Sequence, residues 1–191
     1  MAKQYPVNEI FTSIQGEGFY VGTPCSFIRL AGCNLKCKFC DTDHKVRMKL
    51  TPEEILQRLD PTPNLVVITG GEPTIHDLSP LCSALSDAGY RIHVETNGTR
   101  DFETMFPFMF HWITVSPKVD TQIIPRAYDE AKWLIPEWSI KEIDWNLARY
   151  NFLQPVWDDN YNKNLNLCLE LLKECPDARL SLQIQKVIGI K

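Results

Sequence analysis

The sequence predicts an α/β fold, a single domain over residues 1–191 built on a parallel sheet with helices outside. Short apolar runs alternate with helical patterns along the chain, and alternation at this spacing is what parallel strands joined by crossover helices require. Several strand-like runs also end in turn-forming or polar residues: Gly70-Gly71-Glu72-Pro73, Thr96-Asn97-Gly98, Ser116-Pro117-Lys118 and Gln154-Pro155. In barrel-like α/β folds ligands sit at the carboxyl ends of the strands, so these segments should line one mouth. With 191 residues the chain can bury a sizeable core but is too short for a full eight-unit barrel, which takes about 250 residues.

The elements follow in order. Ser26–Leu30 reads as a strand running into a cysteine-rich loop. Thr51-Pro52-Glu53-Glu54 is a helix start, with Thr51 as cap, Pro52 in the first turn and Glu54 placed to close a capping box. Ile55, Leu56 and Leu59 give that helix an apolar face. Leu65–Thr69 is a β-branched run ending in Gly-Gly, the pattern of a buried strand. Leu78–Ala88 fits a helix that Gly89 stops. Arg91–Glu95 and Trp112–Val115 are the next strands, and Ala131–Ile135 and Tyr150–Leu153 two more. A short helix is expected over Ser139–Leu147, and a longer one over Asn164–Lys173 with Leu165, Leu169 and Leu172 on one side. Leu180–Ile184 reads as the last strand. No internal repeat, low-complexity tract or flexible linker interrupts this order.

Apolar residues make up 44% of the chain and charged residues 23%, an ordinary globular composition. The formal net charge of -4 argues against a nucleic-acid partner. The N-terminus lacks an apolar run of signal-peptide length and no long apolar stretch occurs, so the expectation is a cytoplasmic protein with no membrane association. Seven cysteines are present, and an odd count in a reducing compartment argues against a disulfide framework. Cys25, Cys82, Cys168 and Cys175 are scattered and read as ordinary buried or half-buried thiols.

Cys33, Cys37 and Cys40 are different. They form Cys-x3-Cys-x2-Cys within AGCNLKCKFCDT. Three thiolates so spaced can wrap one compact, soft metal centre. Taken alone, the spacing suits zinc, with His44 as a fourth ligand, as well as it suits an iron–sulfur cluster. A cubane cluster normally takes four thiolates, so three would leave one iron open, and an open position implies chemistry rather than scaffolding. Phe39 would help shield such a cluster from water.

The same motif, with an aromatic residue before its last cysteine, resembles the signature of the radical S-adenosylmethionine enzymes. Gly70-Gly71-Glu72-Pro73 after a buried strand resembles their GGE motif, and Glu95-Thr96-Asn97-Gly98 is similar to the segment after their next strand. The resemblance implies a shortened partial (β/α) barrel of about six units and a [4Fe-4S] cluster on Cys33, Cys37 and Cys40. It also implies S-adenosylmethionine bound at the open iron, its methionine amino group held by the GGE motif, with Gly71 and Glu72 at the cofactor.

Phe11–Thr42 narrows the resemblance to the 7-carboxy-7-deazaguanine synthase family, a likeness strongest over residues 9–42, 66–74 and 93–98. It implies conversion of 6-carboxy-5,6,7,8-tetrahydropterin to 7-carboxy-7-deazaguanine, a Mg²⁺-assisted ring contraction with loss of ammonia on the route to queuosine. The residues suit that substrate. Ile14, Gln15, Gly16 and Glu17 form a glycine-bracketed amide–carboxylate pair that could approach a flat heterocycle, with Glu17 accepting from its guanidine-like edge. Arg29, inside an apolar strand, needs a partner; the substrate carboxylate or a structural salt bridge would serve. The family resemblance further implies Thr42 as a Mg²⁺ ligand and Thr69 at the substrate. Phe39, Cys40, Asp41, Gly71, Ser116, Pro117, Lys118, Gln154, Pro155, Val156 and Trp157 would lie around the cofactor. Lys191 would reach the substrate from the C-terminus, a flavodoxin-type protein would supply electrons, and the chain would form a homodimer. No side chain is nominated as a catalytic base. Gln185 stands where the family often has histidine.

Two rivals differ in chemistry. A glycyl-radical activating enzyme would share the cluster but act on a protein backbone, which Gln15-Gly16-Glu17 with Arg29 does not suit. A non-enzymatic zinc module would use the cysteines alone. His76 and His93 read as hydrogen-bonded fillers, and Trp133, Trp138, Trp145 and Trp157 as core plus a subunit interface.

Overall fold

A computed structural model of the chain describes residues 3–101, 109–124 and 126–190. The strands are β1 (Tyr5–Ile14), β2 (Pro24–Leu30), β3 (Met48–Leu50), β4 (Leu65–Gly70), β5 (Arg91–Thr96), β6 (Trp112–Val115), β7 (Tyr128–Ile135), β8 (Ala148–Pro155) and β9 (Arg179–Leu180). The helices are α1 (Pro52–Leu56), α2 (Ser79–Asp87), α3 (Tyr161–Glu174) and α4 (Ile184–Val187). All the strands join one open sheet in the order β3-β1-β2-β4-β5-β6-β7-β8-β9. From β2 to β9 every pairing is parallel. The antiparallel β1 and β3 extend the sheet past β2. The alternation of runs misses these two, because Asn8 and Glu9 in β1 interrupt its apolar pattern and β3 is very short.

Burial explains the parallel centre. The side chains of Leu65–Thr69 are all buried, as expected for a strand covered on both faces. Ile28, Leu30, Val66, Ile68, Ile92 and Val94 pack with Leu78, Leu81 and Leu85 around α2. A second cluster under α3 joins Val115, Ala131, Trp133, Ile135, Leu153 and Cys168. The capping box at Thr51 and Glu54 is formed in both directions. Gly89 ends α2 with a left-handed φ of 82°.

Three expectations need correction. Residues 139–147 are turns rather than a helix. Glu142 binds the backbone N–H and hydroxyl of Ser139, and Asp144 binds the N–H of Asn146, local bonds that compete with a helical ladder. The inner face of α3 runs through Asn164 and Cys168, with Leu172 packed beside them, whereas Leu169 is exposed. The last strand stops at Leu180. Ser181 then hands its hydroxyl to Gln154 Oε1, and the Ile184 N–H donates to the Gly16 carbonyl, which turns the chain into α4.

Gly70 joins the sheet to the loop beyond it. Its φ is 149°, and a Cβ there would fall 2.1 Å from the Leu30 carbonyl oxygen on the neighbouring strand. Gly70→Ala is therefore expected to destabilise the fold by about 2 kcal/mol or more. Urea unfolding checks this; an unchanged midpoint would contradict the close approach.

Candidate active site

The carboxyl ends of the parallel strands open on a cavity of about 750 Å³. All four strand-end segments reach its wall, through Gly71, Asn97, Lys118 and Gln154, among others. Ile14, Gln15, Gly16, Glu17, Arg29 and Thr69 line it too, as do Cys33, Cys37, Phe39, Cys40, Asp41 and Thr42. The C-terminal segment supplies Gln183, Gln185, Lys186 and Ile190. Lys191 lies outside the described residues. Pro117 does not line the cavity; it is buried, with its carbonyl accepting from Trp138 Nε1.

The loop carrying the cysteines is built against the loop after β4. The Gly71 N–H donates to the Leu30 carbonyl and the Glu72 N–H to the Gly32 carbonyl, and a Cβ on Gly71 would strike Gly32 at 2.1 Å. Asn97 Nδ2 donates to Asn34 Oδ1, tying the same loop to the end of β5. Cys33 and Cys37 are half-buried and Cys40 is exposed. Burial pushes the Cys33 and Cys37 thiols up, while the Lys118 ammonium pulls them back. The Leu35 N–H donates to Cys33 Sγ at 3.4 Å. Thiols on a shared wall, a nearby ammonium and an N–H aimed at sulfur fit an iron–sulfur cluster. Among the described residues no three His, Cys, Asp or Glu side chains are already gathered closely enough to hold a metal ion. His44 reaches the cavity wall but completes no zinc set with the cysteines.

Glu72 does not line the cavity, contrary to its expected contact with the cofactor. It is fully buried and accepts from the Thr74 N–H and hydroxyl, from the Thr96 hydroxyl and from the Asn97 N–H at 2.6–3.0 Å. Three of those donors converge on Oε1 and the Asn97 N–H binds Oε2. The side chain braces the loop, and what the loop shows the cavity is glycine backbone. Lys118 Nζ donates to the Ser116 carbonyl and hydroxyl, and burial pushes its ammonium below the ordinary lysine value. Trp157 packs at a tilt against Tyr161 with its ring under Lys186, and Lys186 pairs with Asp41, so the C-terminal segment is pinned across the cysteine loop. Thr42 donates to Asp41 Oδ1.

At the floor, Glu17 is a hub. Oε2 accepts from Lys132 Nζ at 2.6 Å and Gln154 Nε2 at 3.1 Å; Oε1 accepts from Gln183 at 3.0 Å and Gln185 at 3.3 Å. Burial would push the carboxyl up, but the Lys132 charge and these bonds outweigh it and hold it at about 2. The pairing keeps Lys132 protonated in spite of its burial. Glu17 is thus already filled with protein donors and organises the site rather than standing ready for the substrate edge. Gly16 makes room for this array: a Cβ would overlap Gln185 Oε1 at 1.7 Å.

Glu95 is better placed as an acceptor. It lies on the wall with Oε1 bound by Gln15 Nε2 and Oε2 contacted by the Thr69 hydroxyl at 3.4 Å, a long bond. The Gln185 Oε1 atom is buried with no hydrogen-bond partner among the described residues. Arg29 borders the cavity, yet its Nε donates to Glu9 at 3.0 Å, so the structural salt bridge exists whatever the guanidinium binds besides.

Lys132, Glu95, Gln183 and Lys186 are functional candidates that sequence reasoning missed. The signal for Lys132 was a cation in the otherwise apolar run Ala131–Ile135. His76 does behave as a filler, bonded to the Ala31 carbonyl. His93 packs against Tyr20 and Trp112, but its Nε2 has no partner among the described residues.

Comparisons with known proteins follow the same geometry. A model of the Radical SAM superfamily matches residues 27–143. A 7-carboxy-7-deazaguanine synthase of Bacteroides thetaiotaomicron is 39% identical over 97% of this chain and 98% of that protein. One from Synechocystis sp. is 36% identical over 98% and 94%, and one from Escherichia coli K12 31% over 98% and 99%. The crystal structure of QueE from Escherichia coli superposes with a TM-score of 0.73 and 29% identity, covering 95% of this chain and 94% of that one.

The Glu17 pairing sets a pH dependence. A carboxylate held at about 2 in the fold contributes stability that is full above its unfolded value, about 4.3, and lost as pH falls toward 2. Glu17→Gln is expected to flatten that part of the stability profile, read by urea unfolding at successive pH values. A profile as steep as that of the wild type would contradict the assignment.

Proposed function

The chain belongs to the radical SAM superfamily and, within it, to the 7-carboxy-7-deazaguanine synthases, and on that premise we propose that it converts 6-carboxy-5,6,7,8-tetrahydropterin to 7-carboxy-7-deazaguanine with loss of ammonia. One observation carries the reading: a single cavity is walled both by the three thiols and by the polar array of Gln15, Thr69, Glu95 and Gln185. Held by Cys33, Cys37 and Cys40, the cluster with S-adenosylmethionine would supply one-electron radical chemistry for removing hydrogen from C6 of the substrate.

The protein's own groups bind, orient and exclude water. Cys33, Cys37 and Cys40 would hold the cluster, with Phe39 and Leu35 on the same wall. Gly71, Ser116, Lys118 and the segment Gln154–Trp157 border the side where S-adenosylmethionine would lie. The guanidinium of Arg29 is the cation for the substrate carboxylate. Thr42, beside Asp41, offers the hydroxyl for a Mg²⁺ ion that keeps most of its water. Glu95 and the Gln185 carbonyl provide acceptors for the donor-rich pterin edge. Gln185, at the position where the family resemblance implies a histidine, can accept a hydrogen bond but does not act as an acid–base group near neutral pH. The family resemblance also supports a homodimer and a flavodoxin-type electron donor; exposed Leu167 and Leu169 on α3 are apolar surface such partners could cover. No helix among the described residues is long and apolar enough to cross a membrane.

Anaerobic turnover with reconstituted protein, S-adenosylmethionine, reductant, Mg²⁺ and 6-carboxytetrahydropterin is expected to yield 7-carboxy-7-deazaguanine. Deoxyadenosine formed without that product would leave the cluster reading standing and remove the substrate. Cys37→Ala is expected to lose the iron–sulfur absorption band and all turnover; surviving activity would overturn the thiol assignment.

A further inference from the structure

Behind the substrate cavity lies a second, much smaller chamber of about 10 Å³, no larger than one water molecule needs. Gln15, Glu17 and Glu95 line both spaces and form the partition between them. Two buried titratable groups stand on the far side, His93 and Glu130, each 3% exposed. Neither is used by the chemistry described above.

Glu130 is held firmly. Its Oε2 accepts from the Phe19 N–H at 2.9 Å and Trp112 Nε1 at 3.3 Å, and a Cβ on Gly18 would fall 1.9 Å from its Oε1. Gly18, at φ 66°, is the residue that lets the chain pass so close. Glu130 and Lys132 are two apart on β7 and so share a face of the sheet. The groups around it are Lys132 on β7, His93 and Glu95 on β5, Glu17 and Tyr20 after β1, and Tyr150 on β8, with Arg179 stacked over Phe19 and Tyr150.

We propose that Glu130 is a positioning residue of the substrate site: from the rear chamber it sets how the charge of Lys132 is shared among Glu17, Glu95 and the bound pterin. The proposal rests on the carboxypterin reading and deepens it. Lys132 Nζ lies 2.6 Å from Glu17 and 3.6 Å from Glu95. With Glu130 neutral, one ammonium faces two carboxylates. With Glu130 ionised, a third carboxylate on the same face of β7 adds its charge at longer range, and the excess negative charge opposes an anionic substrate. Burial pushes the Glu130 carboxyl up to about 7, with Lys132 pulling it down and Glu95 pushing it further up. Burial also pushes His93 down to about 4, so His93 adds no compensating charge near neutrality. The site is therefore tuned to bind its anion below about pH 7 and to release its grip above it.

The test compares wild type with Glu130→Gln, which keeps an acceptor for Phe19 and Trp112 but cannot ionise. For the wild type, the KM for 6-carboxytetrahydropterin is expected to rise by up to about tenfold from pH 6 to pH 8.5, with kcat nearly unchanged. Glu130→Gln is expected to hold the low KM throughout, and Glu130→Asp to restore the slope. A purely structural role would lower stability or kcat without removing the pH slope of KM. Infrared titration of the substrate-free protein gives an independent readout: a neutral carboxyl band that disappears near pH 7 in the wild type and is missing from Glu130→Gln. A KM slope that persists in Glu130→Gln, or a wild type lacking that band at pH 6, would overturn the proposal. A titrating band in a wild type that forms no product at any pH would sink the substrate reading, and the coupling to substrate with it.

Discussion

The buried pair of Glu17 and Lys132 is the constraint on which the site depends. A carboxylate and an ammonium removed from water are each costly to bury, and each is tolerable here only because the other is within 2.6 Å and further donors complete the set. The pair joins elements far apart in sequence: Glu17 follows β1, Lys132 lies in β7, and the amides that complete the shell come from β8 and the C-terminal segment. Once these are fixed, the end of the sheet is fixed, and so is the wall from which a heterocycle would be read. The same pair makes Glu17 an organiser and leaves the free acceptor capacity to Glu95 and Gln185.

The cysteine side is built by a different kind of constraint. Its loop holds no buried ion pair; it is positioned by backbone. Gly32, Gly70 and Gly71 bring two chain segments, one after β2 and one after β4, within van der Waals contact, and Glu72 locks the result by accepting four hydrogen bonds behind the wall. A rigid backbone cradle on one side and a charge network on the other is a reasonable division of labour. A cluster brings its own strong bonds to the thiolates, whereas a neutral ring with one carboxylate must be recognised by preset dipoles and charges.

Much of this was legible in the sequence because it depends on local pattern. The strand ends, the capping box at Thr51 and the thiol spacing are read within a few residues. What escaped depends on pairing across the sheet. β1 pairs with strands on both sides, and a half-polar strand gives little local sign of that. Glu17 looked like a substrate contact because its four donors lie more than a hundred residues away. Glu72 looked like a cofactor contact because the hydroxyls that fill it, from Thr74 and Thr96, are unremarkable in sequence. The expected helix at 139–147 failed for a local reason, the Ser139–Glu142 bonds, which the apolar pattern does not encode.

The most direct test of this account is a double-mutant cycle on Glu17 and Lys132, read as unfolding free energy in urea at neutral pH. Glu17→Gln and Lys132→Met should each cost about 3–5 kcal/mol, since each removes the other's closest charge partner and leaves Lys132 only Glu95 at 3.6 Å or Glu17 only its amide donors, and the double variant should cost much less than their sum. A double variant whose loss equals that sum would show that the two charges do not depend on each other, and would contradict the central role given to the pair.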